Sequence, residues 1–482
     1  YAFHVRAGQS CEGAQFRFIL VKAGTVHIDN FSLIPDNAVY GIFRRDLAEL
    51  LKALRPGFVR FPGGCVVEGN TLANRYQWKL SVGQPERRRQ NWNRWAIHGA
   101  GEEGDFRSPF SHYGQTLGVG YYEYFLLCEY LGAKPLPVVG LGIACQYMSK
   151  EAVAADDPEL EVYIQEALDV VEFANGGRDS VWGRVRAEMG HPEPFGLEYL
   201  GLGNEQWETK ESEFYRRFEI FSARVREKYP EIKIIGTVGP DVGTPRYEEA
   251  WAWTRKNLER DPAFVYASDE HFYVAPEWLY AHTDMYDAYP RSGLVYAGEY
   301  AAHVPGVAGS LAPAANVWEG ALAEAAFMTG MERNADVVVM RSYAPLFARI
   351  GYTQWSPDLI WFDATRAFGS ANYHVQRMYS LLTGEVSWRT QTDTQGTYVS
   401  ATSAGDITYV KAVNATDSPV TAEVEGDFDF GEMLRIVRMA GEPGDFNSPE
   451  EPEKLVPVEV APTAARPAEL PPHSFPVLIF RK

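Results

Sequence analysis

The sequence has few cysteines, no excess of positive charge and no apolar run long enough to span a membrane. Its four cysteines among 482 residues, Cys11, Cys65, Cys128 and Cys145, show no CxxC spacing, which argues against a zinc site and a disulfide-dense scaffold. A net charge of −19 opposes phosphate backbones, so we expect no nucleic-acid partner. The lack of a long apolar run predicts no membrane partner.

The composition is that of a globular protein rich in aromatic residues. The hydrophobic fraction is 46% and the aromatic fraction 13%, and the length predicts two or three domains. Such an aromatic content suits either a large core or a cleft in which sugar rings stack. Because the chain begins at Tyr1 without a methionine, we expect it to be processed, trimmed or incomplete. The compartment stays open, with a secreted or periplasmic location slightly favoured over the cytoplasm.

Hydrophobic periodicity predicts β-structure first and then alternating strands and helices. Residues 1–37 alternate like strands, and residues 44–54 have the period of an amphipathic helix. Seven later apolar segments are predicted to be strands, with helical patterns between most of them: 58–62, 135–141, 197–203, 232–237, 264–267, 294–297 and 337–341. Repeated strand–helix units indicate a parallel sheet, either a closed eight-stranded barrel or a doubly wound open sheet.

The count of strand–helix units favours the barrel, although only seven of eight units are found. No GxGxxG follows the first strand, which weakens a dinucleotide-binding alternative. After a last helix near residues 371–382, short alternating strands in residues 386–482 predict an all-β sandwich. The predicted fold class is α/β, a (β/α)8 TIM barrel with a C-terminal β-sandwich.

Two glutamates, Glu205 and Glu299, each close a short apolar run. With residues 58–62 counted as the second strand, they lie at the ends of the fourth and seventh strands, which face each other over one pocket of a barrel. Retaining glycosidases need one carboxylic acid to protonate the leaving oxygen and one carboxylate, about 5–5.5 Å away, to attack the anomeric carbon. Either glutamate alone would more often be a surface or capping residue, but the two positions together indicate such a pair.

The segments around both glutamates resemble the two catalytic segments of family 51 α-L-arabinofuranosidases, in the clan of (β/α)8 retaining glycosidases. They are Gly203-Asn204-Glu205-Gln206-Trp207 and Tyr296-Ala297-Gly298-Glu299-Tyr300. Asn-Glu alone is common to the whole clan. Two more specific matches are Arg60-Phe61-Pro62-Gly63-Gly64-Cys65 and Trp355-Ser356-Pro357-Asp358-Leu359, and a further one is Asp269-Glu270-His271-Phe272-Tyr273. The resemblance covers about residues 40–482.

The resemblance implies a role for each matching residue. Glu205 would be the general acid/base and Glu299 the nucleophile. Arg60 would orient the nucleophile, and Asn204 would hold the sugar 2-hydroxyl, an interaction that strengthens in the transition state. No metal or organic cofactor is implied.

Four further residues are expected to contact the substrate. His271 and Tyr273 alternate along one strand and therefore point to the same face, as pocket-lining residues must. Gln354 matches a position that contacts the furanose. Cys65 would make a weaker contact at a position where relatives differ.

The resemblance also implies domain boundaries. In longer family members, a first barrel strand with an acidic substrate contact precedes an inserted sandwich module. Residues 1–37 would be the tail of that carbohydrate-binding-like module, residues 38–383 the barrel and residues 384–482 the C-terminal sandwich. The missing strand–helix unit would then be the first one, upstream of Tyr1. Without that unit, the barrel would expose strand edges and could be inactive.

These inferences together predict a retaining, exo-acting α-L-arabinofuranosidase that removes arabinofuranosyl groups from arabinoxylan or arabinan fragments. The expected partner is an arabinose-containing oligo- or polysaccharide, and homo-oligomerisation stays open. Two alternatives are also open. One is another retaining glycosidase of the clan, such as a β-xylosidase or an endoglucanase, and the other is a non-catalytic glycan-binding remnant.

Overall fold

A computed structural model describes most of the chain. The described residues are 4–6, 8–9, 13, 15–28, 32–92, 114–147, 149–353, 355–426, 430–462 and 468–482. Helices and strands in these residues begin only at Arg45. None of the helices found there is both long and apolar enough to cross a lipid bilayer.

The described residues form ten α-helices and twenty strands. The helices are α1 Arg45–Ala53, α2 Cys65–Glu68, α3 Tyr121–Leu131, α4 Leu160–Asn175, α5 Val181–Glu188, α6 Phe214–Lys228, α7 Pro245–Arg260, α8 Pro276–Ala281, α9 Trp318–Arg333 and α10 Ala371–Leu381. The strands are β1 Phe58–Phe61, β2 Asn91–Trp92, β3 Gly114–Gln115, β4 Lys134–Val139, β5 Tyr199–Leu202, β6 Lys233–Thr237, β7 Ala267–Val274, β8 Val295–Ala302, β9 Val338–Tyr343, β10 Phe347–Arg349, β11 Ile360–Phe362, β12 Ala367–Gly369, β13 Val386–Trp388, β14 Thr397–Ala404, β15 Ile407–Asn414, β16 Val420–Ala422, β17 Glu432–Ala440, β18 Val458–Val460, β19 Ala468–Leu470 and β20 Ser474–Arg481.

A parallel sheet of seven strands forms the first large unit. Its order is β1-β4-β5-β6-β7-β8-β9, and every neighbouring pair is parallel. All seven predicted strands are confirmed, although the fifth, predicted at 264–267, lies at Ala267–Val274. Within the described residues, β1 and β9 each pair on one side only. The sheet with its surrounding helices is therefore a near-complete TIM barrel.

The barrel interior is filled by side chains that alternate along the strands. On β4, Leu136 and Val138 pack inside the barrel with Tyr296 of β8, whereas Val139 packs outside against the helices. The Phe58 ring of β1 meets the Tyr296 ring edge-on at 5.5 Å. This period of two places Arg60, two residues after Phe58, on the inner face as well.

The described part of residues 1–37 contains no assigned strand. Phe18, Ile19 and Val21 are 53%, 77% and 90% exposed, so they do not pack on the barrel. A strand requires a hydrogen-bonded neighbour, and none is assigned to the described residues of this segment. The module tail inferred for residues 1–37 therefore stays a prediction.

The C-terminal unit is a two-layer β-structure, as predicted. Its large sheet has the order β13-β14-β15-β20-β17-β18, and β16 pairs with β19 in a second, two-stranded sheet. Along β20, Phe475, Val477 and Ile479 pack toward helix α9 of the barrel, and Leu478 and Phe480 pack in a separate cluster with Ala468 of β19. Alternating apolar faces thus join the large sheet to both neighbours.

A buried ion pair also joins the C-terminal sheet to the barrel. Lys411 Nζ of β15 lies 2.7 Å from Glu332 Oε1 of α9, and both side chains are almost fully buried. Ser400 Oγ of β14 donates to the other carboxylate oxygen at 2.6 Å, and Thr383 Oγ1 donates to Oε1 at 3.2 Å. Because Lys411 and Ser400 lie on strands of the C-terminal sheet, this carboxylate of α9 links the two units.

We expect Lys411→Met to destabilise the protein strongly. The substitution leaves the Glu332 carboxylate buried without its cation, which costs about 3–5 kcal/mol. The matched control is Arg435→Met, whose pair with Glu459 is 47% and 61% exposed and should contribute about 0–1 kcal/mol. Urea unfolding of both variants provides the measurement. Equal midpoints for the two variants would contradict the anchoring role of Lys411.

Candidate active site

Strand β7 carries three polar residues on its inner face. Ala267 packs in the barrel interior, and the alternation of side chains places Asp269, His271 and Tyr273 on the same face, toward the carboxyl end of the strand. Glu270 lies on the opposite face, where three tyrosine hydroxyls and one indole donate to its carboxylate: Tyr247, Tyr286, Tyr289 and Trp251. These outer contacts hold the strand in place while its inner face lines a pocket.

A bulge at Gly298 turns Glu299 into the same pocket. In the pairing of β7 with β8, Glu270 opposes Ala297 and His271 opposes Glu299, so Gly298 is an extra residue on β8. A Cβ atom at Gly298 would lie 1.9 Å from Asp269 Oδ1, so the position requires glycine. Glu299 was expected at the end of a strand. It lies instead inside β8, which continues to Ala302, and it faces inward because of the bulge.

Glu205 follows strand β5 and reaches the pocket from the other side. The strand ends at Leu202, and Gly203 has a φ of +81°, a turn that brings Asn204 and Glu205 over the carboxyl end of the sheet. A carboxylate oxygen of Glu205, one of Glu299 and a ring nitrogen of His271 all lie within 4.8 Å of one another. The two glutamates that are 94 positions apart in the sequence therefore share one pocket.

Arg60 of β1 holds the Glu299 carboxylate. One guanidinium nitrogen donates to Glu299 Oε1 at 2.6 Å, and the other donates to Asn204 Oδ1 at 2.9 Å. Tyr273 Oη donates to Glu299 Oε2 at 2.9 Å. Burial alone would raise the pKa of Glu299, but the charges of His271 and Arg60 outweigh it and lower the pKa below 4.5. Glu299 is therefore an ionised, oriented carboxylate at neutral pH.

His271 lies between the acidic groups. Its Nδ1 is 3.1 Å from Glu205 Oε1 and 3.7 Å from Glu299 Oε2, and its Nε2 is 3.1 Å from Asp269 Oδ2. Burial would lower the pKa of His271, yet the charges of Glu299 and Asp269 raise it well above 6.5. Both ring nitrogens then carry protons and donate to the carboxylates on either side.

The turn after β1 brings a glycine, a thiol and a fourth carboxylate to the pocket. A Cβ at Gly64 would lie 2.3 Å from Asn204 Oδ1 and 2.5 Å from Glu299 Oε1, so the chain can pass this close to the site only with glycine there. Cys65 Sγ is 3.9 Å from Glu205 Oε2. The buried Glu68 accepts from the side-chain amide of Asn204 at 3.3 Å.

The structure brings together seven of the eight candidate residues. They are Arg60, Cys65, Asn204, Glu205, His271, Tyr273 and Glu299; the eighth, Gln354, lies outside the described residues. Two pocket residues were missed, Asp269 and Glu68. Asp269 could have been found by extending the face of His271 and Tyr273 two residues back along the strand. Glu68 lies one helical turn after Cys65, a spacing that places both on one side of α2.

Comparisons with known proteins agree with this geometry. A family model described as "Alpha-L-arabinofuranosidase 1 domain" matches residues 50–291, and one described as "Alpha-L-arabinofuranosidase C-terminal domain" matches residues 298–474. An arabinose-bound α-L-arabinofuranosidase of family GH51 superimposes with a TM-score of 0.75 at 29% identity, over 91% of this chain and 66% of that one. The chain belongs to the family 51 α-L-arabinofuranosidases.

Individual relatives of this family 51 chain are longer than it is. An extracellular exo-α-L-arabinofuranosidase of Streptomyces chartreusis is 42% identical over 73% of this chain and 40% of its own length. The α-L-arabinofuranosidase 2 of Arabidopsis thaliana is 32% identical over 98% of this chain and 65% of its own length. An arabinose complex of the Thermotoga maritima enzyme, 17% identical with a TM-score of 0.69 over 91% of this chain and 90% of that one, shows the same fold.

We predict that His271 of this pocket and the neighbouring His303 differ in charge at neutral pH. His271 should be protonated, because its pKa is raised well above 6.5. His303, whose ring lies 5.2 Å from that of Tyr273, should be neutral because burial lowers its pKa. NMR titration of 15N-labelled histidines, assigned with His271→Gln and His303→Gln, measures both pKa values.

The raised pKa of His271 also predicts how stability depends on pH. Since this pKa is raised on folding, the contribution of His271 to the free energy of unfolding should be complete below pH 6.5 and should decline as the pH rises through the folded pKa. A His271 that titrates at or below pH 6.5 would contradict this assignment.

Proposed function

We propose that this chain is a retaining, exo-acting α-L-arabinofuranosidase that removes terminal arabinofuranosyl groups from arabinoxylan- or arabinan-type glycans. The observation that carries the proposal is the separation of two carboxylates, since oxygens of Glu205 and Glu299 lie within 4.8 Å of each other. Retaining glycosidases have carboxyl groups about 5–5.5 Å apart, and inverting enzymes need about 6.5–9.5 Å to admit a water between them. The short separation supports retention.

Glu299 is the proposed nucleophile. It is ionised by its lowered pKa, and both of its oxygens are held, one by Arg60 and the other by Tyr273. A carboxylate held in this way attacks the anomeric carbon without having to reorient. The carbon–oxygen bond of the glycoside breaks as the new bond to Glu299 forms, which gives a covalent arabinosyl-enzyme.

Glu205 is the proposed acid/base. In its protonated form it donates its proton to the departing glycosidic oxygen, and as a carboxylate it then removes a proton from the water that attacks the arabinosyl-enzyme. The water oxygen bonds to the anomeric carbon, the bond from that carbon to Glu299 breaks, and Glu205 holds the proton taken from the water. His271, 3.1 Å from Glu205 Oε1, keeps that carboxyl group aimed across the pocket at Glu299.

The substrate class takes its support from relatives and from the neighbours of the glutamates. The Streptomyces relative, 42% identical, is an exo-acting arabinofuranosidase. We propose that the Asn204 amide holds the sugar 2-hydroxyl. Its position is held by Arg60, which donates to Oδ1, and by Glu68, which accepts from Nδ2. We propose Cys65, Tyr273 and Gln354 as further contacts to the furanose.

Glu299→Ala should abolish hydrolysis of 4-nitrophenyl α-L-arabinofuranoside. Azide fills the space left by the carboxylate and attacks the anomeric carbon directly, so the product should be the glycosyl azide of inverted configuration, identified by NMR. The exposed Glu277→Ala, on the helix after β7, should retain wild-type activity as a control. Near-wild-type activity of Glu299→Ala would refute the nucleophile assignment. Turnover of xyloside or glucoside analogues in place of the arabinofuranoside would refute the substrate class.

Glu205→Ala should affect substrates according to their leaving groups. General acid catalysis contributes about 10²–10⁴-fold, so kcat/KM for arabino-oligosaccharides should fall by that factor. The first step with a 4-nitrophenolate leaving group needs no proton and should be spared, so that a burst of nitrophenol precedes slow turnover. Stopped-flow absorbance measures the burst. An equal loss of kcat/KM for both substrates would exclude Glu205 as the acid.

A further inference from the structure

Beside the two glutamates lies a second cluster of side chains that the proposed reaction does not use as a unit. Sulfur atoms of Cys65 and Cys145 and a carboxylate oxygen of Glu68 all lie within 4.8 Å of one another. Cys65 and Glu68 stand one turn apart on α2, and Cys145 lies in the loop after β4. The backbone amide of Cys145 donates to the carbonyl of Gly69 at 2.8 Å, which ties the loop to the end of the helix.

We propose that Cys65, Glu68 and Cys145 form a binding site for a soft divalent cation, with Zn²⁺ as its representative, and that occupancy of this site inhibits the proposed hydrolysis. Two thiolates and one carboxylate are a zinc donor set, with bonds of about 2.3 Å to sulfur and 2.0–2.2 Å to oxygen. Hard cations such as Mg²⁺ and Ca²⁺ select oxygen donors, so the two sulfurs exclude them. The ligand atoms need only a small inward shift to reach these bond lengths.

The fourth ligand of a tetrahedral zinc is available from the active site. Glu205 Oε2 lies 3.9 Å from Cys65 Sγ, close to the spacing of two ligands on one metal. A cation that recruits this oxygen would take away the carboxyl group that must give and accept the proton. Inhibition therefore rests on the proposed function, whereas binding of the cation does not.

The cluster is closed on one side and open on the other. Cys145 and Glu68 are 1% and 2% exposed, whereas Cys65 is only partly buried and contacts both Asn204 and Glu205 of the pocket. A cation can therefore enter through the sugar-binding pocket. Each thiol must release one proton to the solvent as its bond to the metal forms. Because these protons must be released, binding should strengthen as the pH rises.

A neighbouring set of three groups, Glu205, His271 and Glu299, also has its ligand atoms within 4.8 Å. Two positive charges oppose a cation there. Arg60 lies 2.6 Å from Glu299, and the raised pKa of His271 keeps both ring nitrogens protonated. The thiol cluster instead offers two sulfur donors, which a soft cation prefers to carboxylate oxygens, and this favours it as the metal site.

The test uses the full chain with Cys11 and Cys128 replaced by serine, so that only the two cluster thiols remain. Cys128 is buried in α3, and Cys11 lies outside the described residues. Zn²⁺ binding is measured by competition with a chromophoric chelator, and Co²⁺ is added as a spectroscopic probe of thiolate ligation. We expect one Zn²⁺ per chain, a thiolate-to-Co²⁺ charge-transfer band, and loss of arabinofuranosidase activity that EDTA reverses.

Cys145→Ser and Cys145→Ala in this background are the decisive variants. Because even residues beyond the ligands change metal affinity about 10–100-fold, loss of this ligand should weaken Zn²⁺ binding at least about 100-fold. Both variants should remain active and resist Zn²⁺, and two substitutions guard against one that fails to fold. Unchanged Zn²⁺ affinity in a folded Cys145 variant, or a loss of affinity confined to His271→Gln, would overturn the proposal. If the protein binds Zn²⁺ through Cys145 but hydrolyses no arabinofuranoside, the proposed function fails and the metal site stands.

Discussion

The pocket depends on one buried guanidinium. Arg60 lies on β1, yet its contacts reach Asn204 after β5, Asp269 on β7 and Glu299 on β8. A guanidinium stays charged when buried and donates in a fixed planar fork, so it fixes both the charge and the direction of the groups around it. Without it, the carboxylates of Glu299 and Asp269 would be left buried with His271 as their one cationic contact among the described residues, an arrangement that is strongly destabilising.

The charges around Arg60 explain how several acidic groups share a small volume. The cations Arg60 and His271 alternate in space with Glu205, Glu299 and Asp269. Each carboxylate therefore has an opposite charge within 4 Å, which offsets the penalty of burial. Within the described residues, Glu68 has no such partner. It accepts from two amides, those of Asn204 and Gln206, and burial raises its pKa well above 4.5. Its carboxylate thus contacts the side chains on either side of Glu205.

Much of the fold could be predicted because its strands are apolar and its helices are amphipathic. Strand β7 was placed too early because its sequence, Asp269 to His271 in particular, is polar on both faces. The inner face binds Arg60 and Glu205, and on the outer face a cage of aromatic side chains satisfies Glu270. Periodicity registers apolar residues, so it cannot recognise a buried strand whose polar side chains contact residues distant in the sequence, such as Arg60 and Glu205. Glu68, on helix α2, is likewise a buried polar residue whose contacts with Asn204 and Gln206 are distant in the sequence, so periodicity does not reveal it.

The positions of the two glutamates show what a local pattern can and cannot reveal. Both are reached through a glycine: Gly203 turns the chain after β5 by its positive φ, and Gly298 forms a bulge within β8. The residue type alone indicates that glycine permits such a backbone conformation. The contacts that accompany it, from Gly298 to Asp269 and from Gly203 to Val139, are with neighbouring strands and are not visible in a local pattern.

The spacing of the cysteines argues against a metal site, because Cys65 and Cys145 are far apart in the sequence. They follow β1 and β4, which are adjacent parallel strands, and the carboxyl ends of such strands meet at one edge of the sheet. In this fold, residues come together at the pocket according to the order of the strands, so cysteines without a local motif can still lie close enough to bind the same metal ion.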